Sequence, residues 1–280
     1  MNNGSEEQKN TNYRPFSGQE WPASEREDAW RLWQWHLSLR RPQAPSDQEG
    51  ERKAFFEREA EKVRQFEPTA LISAELTAQV YGILQRRKMP ADYLADQVLA
   101  SAAFAGRARF ETASDLNQFV RQWAGSHGRL LAHLADAAYM WQLQYVDDLS
   151  RGFFLTGRLL ELPQDLAEDR LFIPMAELER HGLTVERLKK GNPDEAIRRL
   201  LWRQVILARD ALASGRLLSE ELPRSLSRSL RKWWFGCLEV LNEIERRKYD
   251  VWSRPIEIPA IRRFFVLLQM QFGKAAFRSR

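Results

Sequence analysis

The stretch "FFLTGRLLELPQDLAEDRLFIP", residues 153–174, decides how the rest of the chain is read. Asp147, Arg151, Phe154, Arg158, Glu161 and Asp165 step by three or four residues. On a continuous helix they share one face, provided Pro163 does not break it. Two carboxylates four apart on such a face suit Mg²⁺, a hard cation that takes oxygen ligands. The same alternation of acids and arginines also describes a solvated face laced with surface ion pairs. Spacing alone leaves both readings open.

Working outward, the chain reads as helix nearly throughout. "SEREDAWRLWQWHLSL" starts at Ser24, a candidate N-cap, with acids in its first turn, and Trp30, Trp33 and Leu37 recur at helical spacing. "RRPQAPSDQEGE" holds two prolines and a glycine and reads as a loop. Helical patterns follow over 51–64, 70–86, 91–105, 113–124, 127–146, 147–162, 175–181, 184–189, 193–214, 220–247 and 258–276. Strand-like alternation is nearly absent. The expected class is all-α: one domain of about ten helices, residues 21–275, after a disordered polar tail (1–20) and before a basic tail (276–280).

Composition narrows the function. The 280 residues include 44% hydrophobic side chains, 10 Trp and 15 Phe, enough for a sizeable core. The net charge of +5 is spread along the chain with no dense basic block, so no nucleic-acid partner is expected. The lone Cys237 permits no intrachain disulfide and fits a reducing compartment, so the expected location is cytoplasmic. The polar "MNNGSEEQKN" is not a secretory signal, and "LLAHLADAAYMWQLQYV" reads as a buried helix because it contains His133 and Asp136. No Gly-rich phosphate loop, GxSxG or HExxH occurs. His36, His127, His133 and His181 lack zinc-like spacing and read as surface or core-edge residues.

The opening stretch resembles the second aspartate-rich region of the squalene/phytoene synthase family. It keeps the Leu155-Thr156 pair and the closing "RLFIP" at matching spacing, and "MAELERHGLTVERLKKG" resembles the helix and turn that follow. "FVRQWAGSHGRLLAHL" resembles the family's "AGxxG" helix pair, in the version of its bacterial squalene-forming members. "YDVWSR" (249–254) resembles its "Y-D-V-x-x-R" turn, and "PASEREDAWRLWQW" its first helix. The ordered set covers about residues 20–275. It implies a single isoprenoid-synthase-like helical bundle with a central cavity.

The departures bear on activity. The family's DDxxD cluster falls on Arg40, Arg41 and Ala44, which reverses its charge. In the second region the first aspartate is Glu161, and only the second, Asp165, survives. The family glutamine is Phe154, its asparagine Gly157, the arginine before the first acid Leu160, and an aspartate of the third helix falls near Phe104. Asp92 with Asp96, and Asp147 with Asp148, lie at the wrong place in the order and read as helix-surface or helix-start acids.

The family joins prenyl diphosphates by gripping the leaving diphosphate through Mg²⁺ held by carboxylates on facing helices. Here Glu161 and Asp165 are the relic or altered metal site. Arg40, Arg41, Arg158 and Arg170 are candidates to bind diphosphate or phospholipid without metal, since guanidinium forks pair with phosphate directly. Phe154, Gly157 and Phe104 are expected to line the cavity. The resemblance implies a catalytically degenerate isoprenoid- or lipid-binding protein, or a partner of an active synthase, with no cofactor. The alternative is an active Mg²⁺-dependent prenyltransferase with an altered site. A basic, apolar segment, "IPAIRRFFVLLQMQFGKAAFRSR", adds an expectation of weak contact with the membrane surface.

Overall fold

The computed structural model describes residue 18, residues 20–45 and residues 48–256. The expected helix 258–276 and the membrane-contact segment lie outside the described residues. Thirteen α-helices follow one another among those described: α1 (Arg26–Ser38), α2 (Glu49–Arg64), α3 (Ala74–Arg87), α4 (Asp92–Ser101), α5 (Ala113–Val120), α6 (Ser126–Leu134), α7 (Met140–Leu160), α8 (Leu162–Ala167), α9 (Met175–Arg180), α10 (Val185–Lys189), α11 (Glu195–Gly215), α12 (Leu218–Glu221) and α13 (Arg224–Arg246). A 3₁₀ turn, Ala102–Phe104, follows α4. The described residues contain no strand, only an isolated bridge between Ala108 and Arg170. The all-α expectation holds, and one apolar core runs from Trp21 to Val251.

Helix α7 is central: it packs on α5, α6, α8, α11, α12 and α13. Its closest partner is α11, and two glycines explain the approach. A Cβ on Gly152 would lie 2.9 Å from the Leu212 backbone nitrogen, and one on Gly215 would lie 2.6 Å from the Tyr145 carbonyl oxygen. Only residues without a Cβ let the two backbones meet there.

Several boundaries differ from the sequence reading. The buried helix expected over 127–146 is cut after Leu134. Asp136 adopts φ +54°, and the Ala137 amide donates to the Ala132 carbonyl at 2.9 Å, closing the end in a Schellman arrangement. Asp is one of the few residues besides Gly that tolerates this conformation, so the stop carries little signal in sequence. Pro163 does break the helix expected to continue from 147–162. Lacking an N–H and clashing with the preceding turn, it is accommodated in the first turn of α8 instead. Leu222-Pro223 likewise separates α12 from α13. On α1 the buried stripe is Ala29, Leu32, Trp35 and His36, offset from the expected Trp30, Trp33 and Leu37. A π-helical turn, Arg121–Gly125, joins α5 to α6 and turns Trp123 into the core.

Candidate functional site

Two features meet around Phe154: a rim of paired charges and an apolar cavity. The rim is assembled from the end of α1, the end of α7, and α8. Although α7 stops at Leu160, the turn at Glu161 carries α8 back so that Asp165 reaches Arg158. Arg158 Nη1 donates to both Asp165 oxygens at 2.9 Å, and its Nη2 donates to Glu161. Arg170 approaches Asp165 at 3.7 Å and pairs with Glu168. Across the rim, Arg40 Nη2 lies 3.4 Å from Glu161. The two regions singled out in the sequence therefore do face each other, with opposite charge.

Burial grades this network. Asp165 is 2% exposed, whereas the Arg40 and Glu161 side chains are 47% and 38% exposed. Burial pushes the Asp165 carboxyl up to about 6, against the opposing pull of Arg158. The Arg158 guanidinium lies 5.6 Å from the Phe154 ring centre and 5.2 Å from that of Phe172, and Arg170 lies 5.7 Å from Phe104. Both arginines are thus held between an aromatic floor and the acids. Of the four candidate phosphate-binding arginines, Arg158 and Arg170 are engaged on both sides, Arg40 holds Glu161, and the exposed Arg41 has no ion-pair partner among the described residues.

This donor set does not fit Mg²⁺. The ion takes near-ideal octahedral oxygen coordination, yet both carboxylates are already bonded to guanidinium and the facing wall presents a cation. Among the described residues, no three His, Cys, Asp or Glu side chains gather where one metal ion could sit. The other acidic pairs are held singly: Asp92 by Arg64 at 3.2 Å, Asp96 by the Ser126 hydroxyl at 3.1 Å, and Asp147 by Arg129 at 2.5 Å.

The cavity has a volume of about 260 Å³ and lies between α1, the π-helical turn, α6, α7, α12 and α13. Phe154, Phe153, Ser150 and Leu149 of α7 form one wall, and Leu226 and Leu230 of α13 lie on another. No Asp, Glu, Lys or Arg is among its lining residues. Of the three residues expected to line it, Phe154 does. Phe104 instead packs at a tilt against Trp123 and Phe172, with ring centres 4.7 Å and 5.8 Å apart. Gly157 lies past the cavity wall and faces open space.

Sequence reasoning missed the polar end of this cavity. His36 and His127 are not surface or edge residues: they are 9% and 7% exposed and stack with ring centres 4.3 Å apart. Each sits on an otherwise apolar helical stripe, which was the available signal. His133 and His181 are partly buried, at the edge of the core as expected.

A model of the squalene/phytoene synthase family matches residues 19–262. The chain belongs to that family. It is 31% identical over 96 residues to a phytoene synthase of Thermus thermophilus, covering 34% of this chain and 33% of that one. It is 25% identical over 190 residues to a phytoene synthase of Arthrospira platensis, covering 61% and 60%. The matches thus span a third and three fifths of those relatives. Among solved structures, the squalene synthase HpnC of Alicyclobacillus acidocaldarius superposes with a TM-score of 0.70 at 19% identity, covering 82% of this chain and 87% of that one. A dehydrosqualene synthase superposes with a TM-score of 0.72 at 15% identity, covering 92% and 89%. These likenesses establish the shared fold.

Proposed function

We propose that this family member does not condense prenyl diphosphates by a metal-dependent route and instead binds an isoprenoid or related lipid in its cavity, alone or as the partner of an active synthase. The observation that carries the reading is the closed ion-pair rim: Arg158, Arg170 and Arg40 occupy Asp165 and Glu161. A metal-diphosphate site needs its carboxylates ionised and free to accept a cation. Here the better-buried carboxyl is pushed up to about 6 and bonded twice to one arginine. Ionising a prenyl diphosphate also requires charge stabilisation aimed at the leaving group, and a rim that neutralises itself offers little.

The apolar cavity supports retention of a lipid-binding role. No helix among the described residues is long and apolar enough to cross a membrane. Contact with a bilayer surface through the segment after residue 257, and a cytoplasmic location, remain part of the proposal. The test is incubation of the purified chain with farnesyl or geranylgeranyl diphosphate and Mg²⁺, with extraction of products. The expected result is no condensed hydrocarbon or presqualene-type product; Mg²⁺-dependent turnover overturns the reading in favour of an active prenyltransferase.

A further inference from the structure

The cavity's polar end is specific enough to name the ligand's head group. Gln97 Nε2 donates to the Tyr93 carbonyl at 3.1 Å, which fixes the amide so that its Oε1 faces His36 as an acceptor, 2.9 Å from Nδ1. His36 Nδ1 is therefore the protonated nitrogen, and Nε2 is left as an acceptor. His127 lies beside it, 7% exposed, with both ring nitrogens buried and unpartnered. Stacking at 4.3 Å places the two imidazoles face to face, an arrangement in which they do not hydrogen-bond each other. The Trp33 indole Nε1 is also buried and unpartnered, with its ring 5.6 Å from that of His127. All three side chains line the cavity, and the Ser150 residue adds a hydroxyl to the lining.

Unpartnered buried polar atoms are costly, because each has given up its hydrogen bonds to water without replacing them. Here they collect at one end of an otherwise apolar space. Together with His36 Nε2, they offer donors (Trp33 Nε1 and one His127 nitrogen) and acceptors (the other His127 nitrogen and His36 Nε2). Burial drives both imidazoles toward the neutral form, His36 to about 4 and His127 well below its ordinary value. The end is therefore uncharged as well as bifunctional. No cationic side chain lines that end, and Arg40 acts on His36 only from outside the lining, so an anionic head would lack a bonded counter-ion there, whereas a hydroxyl both donates and accepts.

We propose that the cavity takes a neutral, largely hydrocarbon molecule bearing a single hydroxyl, with that hydroxyl bonded at the His127–Trp33–His36 end. The proposal rests on the reading above for the cavity being a ligand site, and deepens it by naming an alcohol in place of a diphosphate. Its volume of about 260 Å³ lies just below the usual range for ligand sites, roughly 300–1,000 Å³, so a short prenyl alcohol is the appropriate probe.

Trp21, Trp33 and Trp123 line the cavity and report binding through their fluorescence. The full chain is titrated with farnesol, with its saturated hydrocarbon counterpart farnesane, and with farnesyl diphosphate. Farnesol is expected to bind at least about tenfold tighter than farnesane, the worth of one or two net hydrogen bonds, and tighter than the diphosphate. His127→Phe is expected to erase the preference for farnesol while leaving farnesane binding unchanged. His127→Gln, which keeps a donor and an acceptor, is expected to retain part of it, and Trp33→Phe to reduce it. Equal binding of farnesol and farnesane by the wild-type chain overturns the hydroxyl assignment and leaves the lipid-binding reading standing. Tighter binding of the diphosphate places the head at the arginine rim and overturns the proposal. Binding of none of the three overturns the lipid-binding reading as well.

Discussion

Substituting alanine for each of two glycines on α7 should give opposite results. At Gly152 an added Cβ meets Leu212 Cγ at 2.7 Å, Cδ2 at 2.8 Å and the backbone nitrogen at 2.9 Å. Ordinary carbon contacts lie at about 3.5–4.0 Å, so α11 must retreat by roughly 0.6–1 Å. A rotamer change of Leu212 cannot relieve the clash, because one of the struck atoms is backbone. Overpacking of this kind costs about 1–3 kcal/mol, and replacing Gly by Ala in a helix returns up to about 1 kcal/mol. At Gly157, one and a half turns on, nothing lies within 4 Å of the added atom, so only the favourable contribution remains.

Thermal unfolding followed by circular dichroism should therefore show Gly152→Ala lowered and Gly157→Ala raised. At about 2–4 °C per kcal/mol, each shift is several degrees or less. The packing change also reaches the cavity, because Leu149, Ser150 and Phe153, which flank Gly152, line it. Ligand affinity should fall for Gly152→Ala and hold for Gly157→Ala. Shifts of the same sign and size at both positions would refute the claim that close backbone approach of α7 and α11 sets the cavity.

The Asp165 carboxyl, pushed up to about 6 from 3.8, holds its proton more tightly folded than unfolded. Stability from this group is present below the unfolded value and is lost as pH rises from about 4 to about 6, by roughly 3 kcal/mol in all; Asp165→Asn should flatten that slope in denaturant titrations across the window. The Cys237 thiol, buried and pushed up to about 12, should resist alkylation at pH 8 in the native protein and react fully once the chain is unfolded. Co-sedimentation with anionic vesicles should show weak binding at low salt that disappears at high salt; binding that survives high salt would mean that an apolar face inserts.

The fold was legible because its determinants are redundant. Dozens of apolar positions carry the helical period, and a shift of the buried stripe on α1 from Trp33 to Leu32 and Trp35 leaves the helix itself unchanged. Boundaries were harder to read where a single residue decides them. Asp136 ends α6 through a left-handed conformation that composition does not advertise, and the π-helical turn at Arg121–Gly125 replaces the expected break between 124 and 127 with a continuous connection. The candidate site was legible only in part. Spacing left a solvated charged face open for Glu161 and Asp165; the resemblance singled them out and placed Arg40 across from them, yet no one-dimensional pattern relates His36 to His127. They are ninety-one positions apart and meet only because α1 and α6 pack together.

Counting charges around the rim connects these parts. Arg40, Arg158 and Arg170 face Glu161, Asp165 and Glu168, three cations against three anions, and Arg41 beside Arg40 is a fourth cation with no ion-pair partner among the described residues. A site built of carboxylates alone carries excess negative charge, which a metal ion must offset before a diphosphate can approach. With arginine where that wall would hold acids, the paired acids are already neutralised without any added ion, and a divalent cation gains little by entering. Breaking Asp165 away from Arg158 to admit one would expose a buried charge, a change that costs several kcal/mol. On the proposed reading, the same substitutions that remove a metal-diphosphate site close it with its own side chains. If the cavity holds the proposed ligand, affinity then depends on the apolar lining and the neutral polar groups at its end, and the head group, not the rim, should decide what is bound.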